Sequence, residues 1–232
     1  MNRRLLVLAL AALPAVPALA QVVEPRVHAS GPFDSLVVTG AGQVRLFQAD
    51  HDEVVVPGDK RVLEAVSVQQ TGSVLTIRLP RDPNFLGALA QVEVHVNHLT
   101  HLTISDAGSL SAPLSFRSDV LAIRMAGTGL VAFDKLDVGQ LAVDMAGTSQ
   151  GRFAGKVDRL RLSASGTSRF VADHLCARSA EVTVAAAASA DVWALGESDL
   201  RVSESGRIRY WGRPTVMSTI AGQGSIDFKG SR

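Results

Sequence analysis

The chain has 232 residues, with 23 Lys+Arg against 22 Asp+Glu, and a single cysteine, Cys176. The near-zero charge balance excludes the clustered basic footprint of a nucleic-acid binder. A lone cysteine excludes an internal disulfide, so stability has to come from packing. Cys176 itself is expected to be a small buried hydrophobe, because no partner motif surrounds it.

Residues 1–20 read as a signal peptide. Arg3 and Arg4 supply the positive start, residues 5–13 the apolar run and Ala18-Leu19-Ala20 the small-residue cleavage site. The apolar run is too short to be a permanent anchor, and no later one approaches the roughly 20 residues of a span. The mature chain, starting at Gln21 with one net negative charge, is therefore expected to be exported, to the periplasm or the cell surface, with no membrane span after cleavage.

Residues 21–31 contain Pro25 and read as a flexible leader. Strands are expected at 33–39, 44–48 and 53–56, with turns at Asp50-His51-Asp52 and Pro57-Gly58-Asp59. Residues 63–69 fit a helix or a strand, and their β-branched content favours strand. Gly72-Ser73 turns into a strand at 74–79. Residues 85–90 form an apolar loop or a single helical turn, and 91–96 alternates strictly as a strand. Residues 32–97 thus make an N-terminal β region.

Over 98–229 one phrase recurs: an alternating strand, a small residue, a glycine and a hydroxyl. Its clearest copies end in Ala107-Gly108-Ser109, Ala126-Gly127-Thr128, Ala146-Gly147-Thr148 and Ser165-Gly166-Thr167. Weaker copies place Ala188, Gly206 and Gly224 in the glycine slot, so successive slots lie 19, 20, 19, 22, 18 and 18 residues apart. A period near 20 with strand signals and no helix signals predicts a β-solenoid. In a parallel stack, equivalent positions of neighbouring coils lie about 4.8 Å apart. Only small residues fit a sharp corner at that spacing, and glycine accepts positive φ there. Leu121, Leu141, Leu160, Val182 and Leu200 align as one inward column. Ser109, Thr128, Thr148, Thr167 and Ser189 align as a hydroxyl ladder. One aromatic per coil follows: Phe133, Phe153, Phe170, Trp193, Tyr210 and Phe228. The fold expected is all-β: one domain over 32–229, a right-handed parallel β-solenoid of about six to seven coils, preceded by the N-terminal β region.

These residues resemble the bacterial head GIN domain family of auto-transporter adhesin heads. The resemblance rests on Phe33-Asp34-Ser35-Leu36-Val37-Val38-Thr39-Gly40 with Val44-Arg45-Leu46, on Val54-Val55-Val56-Pro57-Gly58-Asp59, and on Leu75-Thr76-Ile77. It extends through the glycine corners to Ile208-Arg209-Tyr210-Trp211-Gly212-Arg213-Pro214 and Gly222-Gln223-Gly224-Ser225-Ile226, covering about residues 31–228. The family usually carries Gly-Ser-Gly corners, whereas here they are Ala-Gly-Thr or Ser-Gly-Thr, and residues 185–188 are all alanine. The resemblance implies a β-helical protein facing the cell envelope, with no established chemistry.

The residues point to no catalytic, metal or cofactor site. His95, His98 and His101 lie close in sequence, but a strand sends His95 and His98 to opposite faces, and no carboxylate or cysteine completes a ligand set. A polysaccharide-cleaving β-helix needs acids and a base meeting on adjacent coils. The column Ser105, Arg124, Asp144, Ser163, Ala185, Ser203 offers one cross-strand ion pair. The Ser-Gly-Thr corners recur in every coil and no helix follows them, which marks structure and not a nucleophile.

The candidate interaction surface is Trp193, Arg207, Arg209, Tyr210, Trp211 and Arg213, an aromatic and arginine group suited to a protein or glycan partner or to capping the last coil. The function expected is an exported, non-enzymatic structural or binding module, adhesive in role. A polysaccharide-active β-helix enzyme is one alternative. An envelope assembly or signalling partner acting as a homo-oligomer through residues 85–90, with Leu86 and Leu89, is another.

Overall fold

The computed structural model describes residues 26–29, 31–58, 60–80 and 91–231. The segment expected to be a signal peptide at 1–20, most of the expected leader and the apolar stretch at 85–90 lie outside the described residues. In chain order come β1 (Arg26–Ala29), β2 (Ser35–Thr39), β3 (Ala41–Gln48), β4 (Glu53–Val56), α1 (Lys60–Ala65), β5 (Ser67–Thr71), β6 (Val74–Arg78), β7 (Gln91–Val96) and β8 (His101–Ile104). Four long strands follow: β9 (Ala107–Met125), β10 (Leu130–Met145), β11 (Gln150–Ala164) and β12 (Arg169–Val184). The chain ends in β13 (Ser189–Ala194), β14 (Ser198–Glu204), β15 (Arg207–Gly212), β16 (Val216–Gly222) and β17 (Ser225–Phe228).

The result is a parallel β-solenoid of about six turns. Each long strand bends midway, where the pairing register shifts, so its first half completes one coil and its second half begins the next. The N-terminal strands belong to the same stack. β2 pairs in parallel with β6 on one side and β8 on the other, and β3 does so with β7 and β9. The coil that comes first in sequence is thus inserted between two later ones. Beyond it, β4 runs antiparallel on β7, β1 on β4 and β5 on β6, closing that end of the stack.

Alternation puts one side of every arm inside. The core runs the length of the stack, from Leu36 and Val38 through Leu121, Leu141 and Leu160 to Val202 and Ile208. Its axis is a ladder of rings, Phe116, Phe133, Phe153 and Phe170, with successive centroids 5.5, 5.9 and 5.1 Å apart. Each such buried ring contributes about 1.5–3 kcal/mol.

The corners refine the aligned columns. The left-handed slot is filled in turn by Asp106, Gly127, Gly147, Gly166, Ala186, Glu204 and Gly222, all with positive φ. The residue after each slot donates its N–H to the slot carbonyl one coil back: Thr128 to Asp106, Thr148 to Gly127, Thr167 to Gly147, Ala187 to Gly166, Ser205 to Ala186 and Gln223 to Glu204. Gly108, Ala188, Gly206 and Gly224, assigned to the glycine slot from sequence, lie two residues later. They fill a different small column, with Gly129, Ser149 and Ser168, that faces the interior. The inward column slips by the same two residues between Leu160 and Val182, since Leu160 is level with Ala180, whereas Val182 and Leu200 are level as aligned. A strand repeats its side-chain direction every two residues, so such a slip exchanges neighbours without turning a residue inside out.

Other expectations are corrected too. Residues 60–65 form α1, and the strand begins only at Ser67. Val62 and Val66, one helical turn apart, both reach the core, and Lys60 pairs with Glu64 across the same interval. The threonine hydroxyls do not bond to one another. Thr128, Thr148 and Thr167 each donate Oγ1–H to the carbonyl of Asp106, Gly127 or Gly147, at 3.4 Å. Cys176 is only half-buried, because it lies on an outer face level with Trp193, and desolvation pushes its thiol up. Trp193 leaves the aromatic column. At the bend β12 carries three more residues than β13, so Val192 follows Ala172 inside and Trp193 pairs with Cys176.

Candidate functional site

The last coils place the candidate surface residues in two different environments. On β15, Ile208 and Tyr210 face inward, and Tyr210 packs on Phe228 at a centroid distance of 5.3 Å. Arg207, Arg209 and Trp211 share the opposite side. Arg209 is engaged from below: its Nε donates to Asp191 Oδ1 at 2.6 Å and its Nη2 to Asp191 Oδ2 at 2.5 Å. Asp191 is only 5% exposed, so this bidentate pair neutralises a carboxylate that the fold buries. The hydrogen bonds to Asp191 push the Arg209 guanidinium up. Asp227 lies level with Arg209 on the next coil, which makes an acid–base–acid column.

Trp193 and Trp211 are level on neighbouring coils, both half-buried. The Trp193 indole lies against Gly212, where positive φ and the absence of a side chain leave it room. Its Nε1–H is buried with no hydrogen-bond partner among the described residues. Arg207 and Arg213 are exposed on either side of Trp211 along the chain.

From Trp211 the chain turns a corner through Arg213 and Pro214 and enters a second feature. A groove of about 480 Å³ is lined by Arg159, Arg161, Glu181, Glu197, Asp199, Thr215 and Met217, among others. Arg161, Glu181, Asp199 and Met217 are level on four successive coils. Glu181 is held at both oxygens, by Arg161 Nη2 at 2.9 Å and Arg201 Nη1 at 3.7 Å, and Arg201 also pairs with Asp199. Acidic and basic groups therefore do meet across adjacent coils, an arrangement the sequence columns missed. The two-residue slip after Ala164 had put Arg161 opposite Thr183, when its neighbour is Glu181. These side chains are largely solvated, so each pair stabilises the fold by under about 1 kcal/mol. The groove does present paired acidic and basic groups and hydroxyls beside an exposed thioether, which suits polar, hydroxyl-rich ligands.

Elsewhere, Arg124 pairs with Asp144 at 3.8 Å on the surface. His95 stacks between Phe47 and His51, at 5.3 and 5.8 Å, and His101 meets the Thr100 hydroxyl. Among the described residues, no three His, Cys, Asp or Glu side chains are grouped to hold a metal ion. No helix among them is long and apolar enough to cross a membrane.

Several solved bacterial structures share this architecture. An adhesin candidate from Bacteroides fragilis superposes with a TM-score of 0.81 at 18% identity, covering 91% of this chain and 98% of its own. A Parabacteroides distasonis protein described as lipid binding gives 0.70 at 19%, over 89% and 96%. An adhesin candidate from Parabacteroides merdae gives 0.69 at 18%, over 89% and 95%. At these identities the likeness is one of fold. Among curated proteins none matches this sequence. The family model described as "Putative auto-transporter adhesin, head GIN domain" matches residues 32–214, nearly all of the solenoid, and the chain belongs to that family.

Proposed function

We propose that this protein is an exported, non-enzymatic adhesive module of the bacterial envelope that recognises a glycan or protein partner at one corner of its last coils. The observation that carries this reading is the joining of two features by residues 211–217. The level pair Trp193 and Trp211, with Arg207 and Arg213, lies on one side. The charged groove of Arg159, Glu197, Asp199, Thr215 and Met217 lies on the other. Half-buried indoles stack on sugar rings or anchor a protein contact, and arginines beside them supply directed donors. The paired charges in the groove compensate one another, as suits binding by contact more than proton transfer.

The test is to expose the purified protein to a panel of envelope and host polysaccharides, scoring binding and chain cleavage in the same wells. Saturable binding without cleavage, lost in Trp211→Ala, is the expected result. Cleavage of any polymer would overturn the non-enzymatic reading and direct attention to Glu181 and Asp199.

A further inference from the structure

We propose that the C-terminal end of the solenoid is a self-association surface that takes a second copy of this chain, end against end. The two ends of the stack differ. At the N-terminal end, β1, β4 and β5 lie antiparallel on the last layers, and although the outer edges of β1 and β5 are unpaired among the described residues, Val62 of α1 and Val66 just after it pack onto the core. At the C-terminal end, β16 pairs only with β14 and β17 only with β15, so the far edge of each is open among the described residues. Residues 229–231 do not cover it. They follow β15, with Lys229 N–H donating to Tyr210 O and Gly212 N–H to Gly230 O.

The core columns run out through this open end. Ile220 continues Val184 and Val202 and is 51% exposed, and Phe228 continues Tyr210 and is 55% exposed. Met217, at the same edge, is 67% exposed. A solenoid end that exposes core positions needs a cap.

Charge identifies the occupant. Residues 214–226 contain no Asp, Glu, Lys, Arg or His, although charges and prolines within edge strands are the usual protection against pairing. A two-fold axis normal to the β16 face sets β16 antiparallel to its own copy, neutral strand on neutral strand, with no like charges opposed. The backbone donors and acceptors of the edge then match by symmetry, and Ile220 of each copy extends the core of the other. The rim carries both signs, in Arg213, Asp227 and Lys229, so it is complementary to itself when reversed. A two-fold pairing uses the same edge of both copies, so it closes at two. A dimer of this kind carries two copies of the corner surface, which would raise the avidity of adhesion.

Light scattering across about 1–100 μM, a range that spans ordinary interface affinities, measures this directly. The mass should rise to twice that of the monomer. Ile220→Lys and Phe228→Lys, both at exposed positions, should each weaken association at least tenfold while leaving the far-UV dichroism unchanged. A monomer mass at every concentration would overturn the proposal, and so would a dimer that both variants leave intact. Hydrogen exchange on the unmodified protein covers the case in which a variant misfolds. Amides of β16 should slow as concentration rises, and exchange independent of concentration would count against the dimer. None of these readouts involves a ligand, so the result stands apart from the polysaccharide test.

Discussion

The middle coils and the last coils follow one path with different residues. From Met125 to Gly166 each corner is Ala-Gly-Thr or Ser-Gly-Thr, the left-handed slot is glycine, and a phenylalanine ladder fills the centre. Past Val184 the slot holds Ala186 and then Glu204, the centre holds Val192 and Tyr210, and a buried Asp191–Arg209 pair appears beneath the outer face. The first region is a repeat in which each coil templates the next. The second tolerates strain and buries charge, and it presents two tryptophans, exposed arginines and an open edge. Departure from a repeat at a stability cost is the mark of a region specialised for contact.

Perturbing both regions in the same way sharpens that contrast. Gly147→Val should have the largest effect. Its φ is +75°, and a Cβ there would meet the Gly127 carbonyl at 2.7 Å. The expected cost is at least about 4 kcal/mol, read as loss of a cooperative thermal transition. Next comes Arg209→Met, which leaves buried Asp191 without its partner and should destabilise by about 2 kcal/mol in urea titration, given that the arginine is partly solvated. The double variant Asp191→Leu with Arg209→Met should recover most of that loss.

Glu204→Gly should act in the opposite direction to Gly147→Val. A glutamate held at φ +57° is strained, and glycine relieves that strain, so stability should rise by about 1 kcal/mol. If Glu204→Gly destabilises instead, the last coils are not strained and the contrast fails.

The smallest effect lies outside both regions. The hydrogen bond to Asp50 raises His51 above its ordinary value. A raised histidine stabilises fully below its unfolded value near 6.5, and the contribution disappears as pH climbs through the higher folded value. Wild type should therefore exceed His51→Asn in melting temperature at about pH 5.5 and match it at about pH 8.5.

Parity explains how much of this was legible in the sequence. Alternation marks which residues face inward whatever the alignment, so the strands, the core positions and the solenoid itself follow from the repeat. Which residue lies level with which depends on counting through corners of unequal length, and Asp106, Ala186 and Glu204 carry no glycine to mark the slot. The alignment therefore slipped by two in the first and last copies, and the Arg161–Glu181–Asp199 ladder went unseen. Phe116 lies past the bend, level with Leu136 and not with Phe133, so no fixed spacing adds it to the ring ladder. Trp193 lies just past a bend whose length differs between coils, a difference no periodicity reports. The open end had one visible signal, the run without charge at 214–226.

The most direct test of the account is where recognition resides. Once a saturating polysaccharide or surface ligand is in hand, its affinity should be measured for Trp211→Ala in the last coils and for Arg124→Ala in the middle ones. The expected result is at least a tenfold loss for Trp211→Ala and an unchanged affinity for Arg124→Ala. Equal losses, or a loss confined to Arg124→Ala, would contradict it.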